Sequence, residues 1–295
     1  MKFKGIMPAL VTPLDENENI NIQVLEQLMN NLIEKGADGF YIGGATGEGY
    51  ALRPSERKKL TETAVKISKK ARVPCIIQVA STDFNMAIEL AKHAEENGAD
   101  AISATAPLFF SYSDDDVYDY YKRLASAVHI PVMVYYNPFV KFSIDARFGK
   151  RLFEIDNVTS IKWTSSDFYQ MMLLKDITNG EMGIINGFDE MLLMGLCAGA
   201  DGGIGTTYNY QLDYAKGVYK SFMQGNIKKA MNYQMKICKT VDAFNGEPII
   251  PASKAILGCM GYNVGNATFP MKRYNKKEKQ KTYETVKQYL PQLIR

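Results

Sequence analysis

A lysine interrupts an otherwise apolar and β-branched run, Val158-Thr159-Ser160-Ile161-Lys162-Trp163-Thr164. An ammonium in such surroundings is costly unless it is paired or neutralised. If the run is a strand, Lys162 and Thr164 share one face and Ile161 takes the other. One reading is a lysine that reaches outward to water or forms an ion pair. The other is a desolvated amine that attacks a carbonyl carbon and forms a Schiff base. Near neutral pH an ordinary lysine is only about 0.1% unprotonated, and a pKa of about 7–8 raises that fraction by two to three orders of magnitude.

Three further segments carry groups that such chemistry needs. Val134-Tyr135-Tyr136-Asn137-Pro138 offers a phenol that can move protons during imine formation and carbon–carbon cleavage. The chain has 18 tyrosines, so core packing is the default for any one of them. Gly43-Gly44-Ala45-Thr46-Gly47-Glu48 offers exposed N–H groups and the Thr46 hydroxyl to a carboxylate, with a plain tight turn as the alternative. Asn186-Gly187-Phe188-Asp189-Glu190, with Gly202-Gly203-Ile204-Gly205-Thr206-Thr207 after it, offers carboxylates to the hydroxyls of a polyol. Equally, Asp189 can cap a helix that begins near Glu190.

Other chemistries lack their residues. The two histidines are His93 and His129, the four cysteines are Cys75, Cys197, Cys238 and Cys259, and no HExxH, CxxC or GxSxG pattern occurs. Metal sites, thioredoxin-like redox pairs and a serine nucleophile elbow are thereby set aside. The thiols are expected to be reduced core residues of a cytoplasmic protein. A formal charge of +3 gives no general attraction to nucleic acid or anionic membrane. Six basic residues and one Glu lie between Lys272 and Lys281, and without a second patch they read as a solvated helix start. No apolar stretch has transmembrane length. Met1 to Leu14, interrupted by Pro8 and Pro13, reads as a first strand and not a leader.

The elements that must position these groups are legible as a period. Short apolar or β-branched runs are expected as strands at Gly5–Thr12, Gly39–Gly44, Cys75–Ala80, Ala101–Ala106, Val132–Tyr136, Val158–Trp163, Gly183–Gly187 and Gly202–Thr206. Helical patterns fill most of the gaps, as at Ile22–Glu34, Pro54–Lys69 and Phe84–Glu96. The phrase Gly-Ala-Asp recurs at Gly36, Gly98 and Gly199, each time between a helix and a strand. Eight alternating units predict a (β/α)8 TIM barrel. An open doubly wound sheet ranks below it, because neither GxGxxG nor GxxxxGK[ST] occurs. Further helical patterns at Tyr214–Met223, Ile227–Phe244 and Lys276–Leu290 suggest a barrel domain over residues 1–225 and a C-terminal helical segment over 226–295.

Taken together, these segments resemble the class I pyruvate aldolases of the N-acetylneuraminate lyase and dihydrodipicolinate synthase type, from Gly5 through at least Asn209. That resemblance implies a barrel with a C-terminal helical segment, usually a homotetramer. It implies Lys162 as the Schiff-base lysine and Tyr135 as the proton-shuttling phenol. Thr46 and the Ala45 amide would hold the pyruvate carboxylate. Lys162 to Met171 and Ala200 to Asn209 look most like the lyase branch, which would give Gly187, Asp189, Glu190 and Thr206 to the sugar-derived chain and Thr164 to seating the substrate. The synthase branch carries an Arg where this chain has Val140 beside Lys141.

The activity implied is reversible cleavage of N-acetylneuraminate to pyruvate and N-acetylmannosamine. The partner is a small-molecule 2-keto acid, and neither metal nor organic cofactor is implied, because the iminium is itself the electron sink. The alternatives are an aldolase for a 2-keto-3-deoxy sugar acid, a dihydrodipicolinate synthase-like enzyme, and a sugar-acid-binding protein with impaired turnover. Two departures bear on the last. Ala45 stands where the family usually has Ser or Thr, and Phe109 where it usually has a Tyr from the neighbouring subunit. Both lost groups are hydroxyls of a proton relay, which leaves water or Tyr112 as substitutes.

Overall fold

The computed structural model describes residues 3–137 and 142–294. Eight parallel strands form the interior: β1 (Gly5–Pro8), β2 (Phe40–Ile42), β3 (Cys75–Gln78), β4 (Ala101–Thr105), β5 (Val132–Tyr136), β6 (Val158–Trp163), β7 (Gly183–Asn186) and β8 (Gly202–Gly205). Their order around the sheet is β1-β8-β7-β6-β5-β4-β3-β2. A parallel bridge between Ala9 and Tyr41, with Leu10 N–H donating to the Tyr41 carbonyl at 2.9 Å, brings β1 and β2 together. The helices α1 (Ile22–Glu34), α2 (Pro54–Ala71), α3 (Phe84–Asn97), α4 (Asp114–Ser126), α5 (Ala146–Phe153), α6 (Phe168–Ile177), α7 (Leu192–Cys197) and α8 (Tyr208–Met223) follow the strands in turn. Then come α9 (Ile227–Ala243), α10 (Ile249–Cys259) and α11 (Lys276–Tyr289). The chain is a (β/α)8 TIM barrel with C-terminal helices.

Period two sorts the strand side chains into two buried layers. Met7, Tyr41, Ile76, Ala101, Met133, Tyr135, Ile185 and Ile204 pack together inside the barrel. Ile6, Phe40, Ile42, Ile77, Ile102, Val132, Val134, Ile161 and Ile184 pack outward against the helices. In register, Lys162 lies between Tyr135 of β5 and Ile185 of β7, on the inner layer.

The recurring Gly-Ala-Asp phrase does two jobs. Gly36, Gly98 and Gly199 have φ of 82°, 83° and 98°, which favours glycine after a helix. The aspartates that follow then satisfy N–H groups at the starts of neighbouring strands. Asp38 accepts from Ile6 at 2.7 Å, Asp100 from Cys75 at 2.8 Å and Asp201 from Ile184 at 3.0 Å. Two of these carboxylates are also ion-paired, Asp38 with Lys216 and Asp201 with Lys175.

Three expectations need correction. β1 ends at Pro8, not Thr12: past a single bridge at Ala9 the chain leaves the ladder, and the Val11 N–H donates to the Asn209 side chain at 3.1 Å. α8 begins at Tyr208, six residues before the helical pattern, because Gln211 departs from helical angles (φ −127°, ψ 26°) and breaks the periodicity. The thiols are free but are not all core residues: Cys75 is buried, Cys238 and Cys259 are half-buried and Cys197 is exposed.

The basic run from Lys272 opens α11 and is tied to acids, Lys272 to Glu247 and Glu278, Arg273 to Glu18 and Lys281 to Glu247. Among the described residues no helix is long and apolar enough to cross a membrane, and no group of His, Cys, Asp or Glu is placed to hold a metal ion.

Candidate active site

The C-terminal ends of the strands meet at one cleft of about 250 Å³. Ala45, Thr46, Tyr135, Lys162, Thr164, Gly187, Asp189, Glu190 and Thr206 all line it. A larger hollow of about 820 Å³ lies between the loop after β1, α10 and α11, and shares no lining residue with the cleft.

Lys162 is 5% exposed and points into the cleft. Its Nζ lies 4.1 Å from the ring centre of Tyr135 and 4.5 Å from that of Tyr41. Among the described residues it has neither a hydrogen bond nor an ion pair. The negative faces of two rings stand where water or a carboxylate would otherwise solvate the ammonium. The outward-reaching reading of Lys162 is therefore set aside by geometry.

The two rings are themselves held. Tyr41 and Tyr135 meet edge to face, with centres 5.9 Å apart. The Tyr41 hydroxyl donates to Ser103 Oγ at 3.0 Å, which donates in turn to the Met133 carbonyl at 2.9 Å. Burial pushes the Tyr41 phenol well above its ordinary range, so it stays neutral. The Tyr135 hydroxyl accepts from Asn137 Nδ2 at 3.0 Å. Its neighbour Tyr136 faces outward, against Trp163.

The turn after β2 places Ala45 and Thr46 at the cleft. Gly43 has φ 68°, and a Cβ on Gly44 would lie 2.5 Å from the Tyr41 ring, so glycine lets Tyr41 sit beneath the turn. The sequence resemblance implies Thr46 as a carboxylate ligand and Thr206 as a polyol ligand. Their hydroxyls lie 2.7 Å apart, so the two face one point of the cleft.

Asp189 caps no helix. The short 3₁₀ turn Asp189–Met191 begins without a side-chain cap, and Asp189 Oδ2 instead accepts from the Thr207 N–H at 2.6 Å. Burial pushes this carboxyl up to about 6, against the Thr207 hydrogen bonds and the charge of Lys162, which lower it.

Residues to which the sequence assigned no role complete the cleft. Asn137 and Ile204 line it from the barrel, and Val241, Ile249 and Ile250 cover it from α9 and α10. Tyr41 had a legible sign, its inward phase between Phe40 and Ile42, but nothing separated it from core packing. Tyr112 does not line this cleft, so the group on the Tyr135 hydroxyl is the Asn137 amide. Phe109, at φ 79° and 82% exposed, stands outside the cleft of its own chain and stacks edgewise on Phe110. Val140 and Lys141 lie outside the described residues.

The chain is similar along nearly its whole length to known proteins. The model of the dihydrodipicolinate synthetase family matches residues 2–289. N-acetylneuraminate lyase of Citrobacter koseri is 33% identical over 262 residues, 88% of this chain and 87% of that protein. The structure of CdNal from Clostridium difficile, in complex with mannosamine, matches with a TM-score of 0.93 at 29% identity, covering 98% of this chain and 100% of that one. Dihydrodipicolinate synthase DapA-2 of Bacillus anthracis matches with a TM-score of 0.92 at 29% identity, covering 99% of both chains.

Proposed function

The chain belongs to the dihydrodipicolinate synthetase family and is a carbon–carbon lyase; from this premise we propose that it cleaves N-acetylneuraminate reversibly to pyruvate and N-acetylmannosamine through a Schiff base on Lys162. The observation that carries the reading is the Lys162 amine, unpaired at the cleft and 4.1 Å from the ring centre of Tyr135.

In this reading each group at the cleft has one role. The unprotonated amine of Lys162 attacks the C2 keto carbon of the open-chain sugar acid, and loss of water from the carbinolamine gives an iminium. Tyr135 relays protons in these steps and takes the proton of the C4 hydroxyl as the C3–C4 bond breaks. The bonding pair passes into the iminium and leaves an enamine, while the aldehyde of N-acetylmannosamine departs. Protonation at C3 and attack by water return pyruvate and the free amine. Thr46, Thr206 and the Ala45 amide hold the carboxylate end, while Asp189 and Glu190 accept from hydroxyls of the sugar chain. The same reading includes a homotetramer in the cytoplasm, supported by family likeness alone.

Incubation with pyruvate and borohydride, followed by peptide mapping by mass spectrometry, is expected to find one adduct, at Lys162. No adduct there overturns the proposal. An adduct without N-acetylneuraminate cleavage, alongside cleavage of a 2-keto-3-deoxy sugar acid, transfers the assignment to that aldehyde.

The Asp189 carboxyl supplies a pH prediction. With its pKa raised to about 6, it takes up a proton as pH falls through that value. Protonated, it no longer accepts as a carboxylate from the polyol, so KM for N-acetylneuraminate is expected to rise below pH 6. Asp189→Asn is expected to show the higher KM at all pH values and to lose that limb. Steady-state kinetics between pH 5 and 8 check it, and an unchanged acid limb in Asp189→Asn refutes it.

A further inference from the structure

Glu48 ends the turn that carries Ala45 and Thr46, with a backbone φ of 60°. Its side chain and that of Lys254 on α10 are 0% and 2% exposed, and Glu48 Oε1 lies 2.6 Å from Lys254 Nζ. Glu48 Oε2 accepts from the Thr268 N–H at 2.6 Å, and Lys254 Nζ donates to the Asn266 carbonyl at 2.8 Å. Both ends of the pair are thus satisfied from the C-terminal helical segment.

Stability alone is a poor reason for such a pair. Removing two charges from water costs about as much as their attraction returns, and an apolar pair of the same shape often serves as well. What a buried, doubly satisfied pair does provide is a defined geometry. Here it acts on a backbone that matters: Glu48 N–H donates to the Ala45 carbonyl at 3.1 Å and Gly49 N–H to the Gly44 carbonyl at 3.1 Å. A shift of the Glu48 carboxylate therefore moves the Ala45 amide and the Thr46 hydroxyl. The other end of the tie is α10, whose first residues Ile249 and Ile250 line the cleft.

We propose that Glu48 and Lys254 are positioning residues for the 2-keto acid: the pair clamps the Ala45–Thr46 turn to the C-terminal helices and so sets the affinity for the carboxylate. The proposal rests on the reading of that turn as the ketoacid site.

The test is a titration of borohydride trapping against pyruvate, with thermal melting measured beside it. Lys254→Met leaves Glu48 buried without its cation and is expected to lower both affinity and melting temperature. The double variant Glu48→Gln with Lys254→Met removes both charges and keeps the shapes. It is expected to melt near the wild type, yet to need about tenfold more pyruvate for half-maximal trapping, because the turn is no longer clamped. At saturating pyruvate the rate of trapping is expected to change much less. A folded variant of either kind that is trapped at wild-type pyruvate concentrations overturns the proposal, as does a double variant in which affinity recovers in step with stability. Failure of the wild type to be trapped at all would count instead against the Lys162 assignment.

Discussion

Lys162→Met is expected to abolish borohydride trapping of pyruvate and to slow N-acetylneuraminate cleavage by about 10⁴-fold or more, which corresponds to about 5.5 kcal/mol of barrier. Among the described residues no other lysine lines the cleft, so none of them offers a second amine for the attack. The same substitution should not unfold the protein. Lys162 has neither a hydrogen bond nor an ion pair among the described residues, so its removal orphans no partner. Methionine is of similar length, and its thioether packs well between the Tyr41 and Tyr135 rings. A melting temperature at or above that of the wild type is therefore expected together with the loss of activity. Retained trapping in this variant, or cleavage above about 1% of the wild-type rate, refutes the assignment.

Tyr135→Phe should separate proton movement from binding. It removes the phenol oxygen and keeps the ring, so the face beneath the Lys162 ammonium survives and the amine stays in place. Loss of a positioned acid–base group lowers kcat by about 10²–10⁴-fold. KM for pyruvate in the reverse direction is expected to change little, because the Ala45–Thr46 turn is untouched. Trapping by borohydride is expected to persist at a lower rate, since iminium formation also moves protons. The Asn137 amide loses the acceptor that lies 3.0 Å away, at a cost to stability of about 1–3 kcal/mol. Steady-state kinetics in both directions and a thermal melt decide the matter. Wild-type kcat in Tyr135→Phe would refute the role.

That role weighs more here because of Ala45 and Phe109. Neither has a hydroxyl to pass a proton onward. The Tyr135 oxygen instead accepts from the Asn137 amide. With an acceptor lone pair so occupied, the phenol's own hydrogen is free to point toward the cleft, where the departing oxygen would lie.

Much of the fold was legible because its signals are local. Eight short apolar or β-branched runs, the helical periods between them and the positive-φ glycines each reflect the preference of a few adjacent residues. Period two alone placed Lys162 opposite Ile161, and parallel strands covered on both faces then put it inside the barrel. The residue types at four strand ends named a chemistry, and all nine of the residues singled out line one cleft.

What the sequence by itself determined is therefore the order of the elements, the phase of each strand and the reactive groups at the strand ends. Only the tertiary structure decided what those groups touch. It set Lys162 between Tyr41 and Tyr135, brought the Thr46 and Thr206 hydroxyls within 2.7 Å, and turned Asp189 from a helix cap into an acceptor for Thr207. It joined Glu48 to Lys254 and covered the cleft with Val241, Ile249 and Ile250. The physical reason is distance along the chain. Each of these contacts joins different elements, most of them far apart in sequence, and closure of the barrel with docking of the C-terminal helices brings them together. No local preference records that.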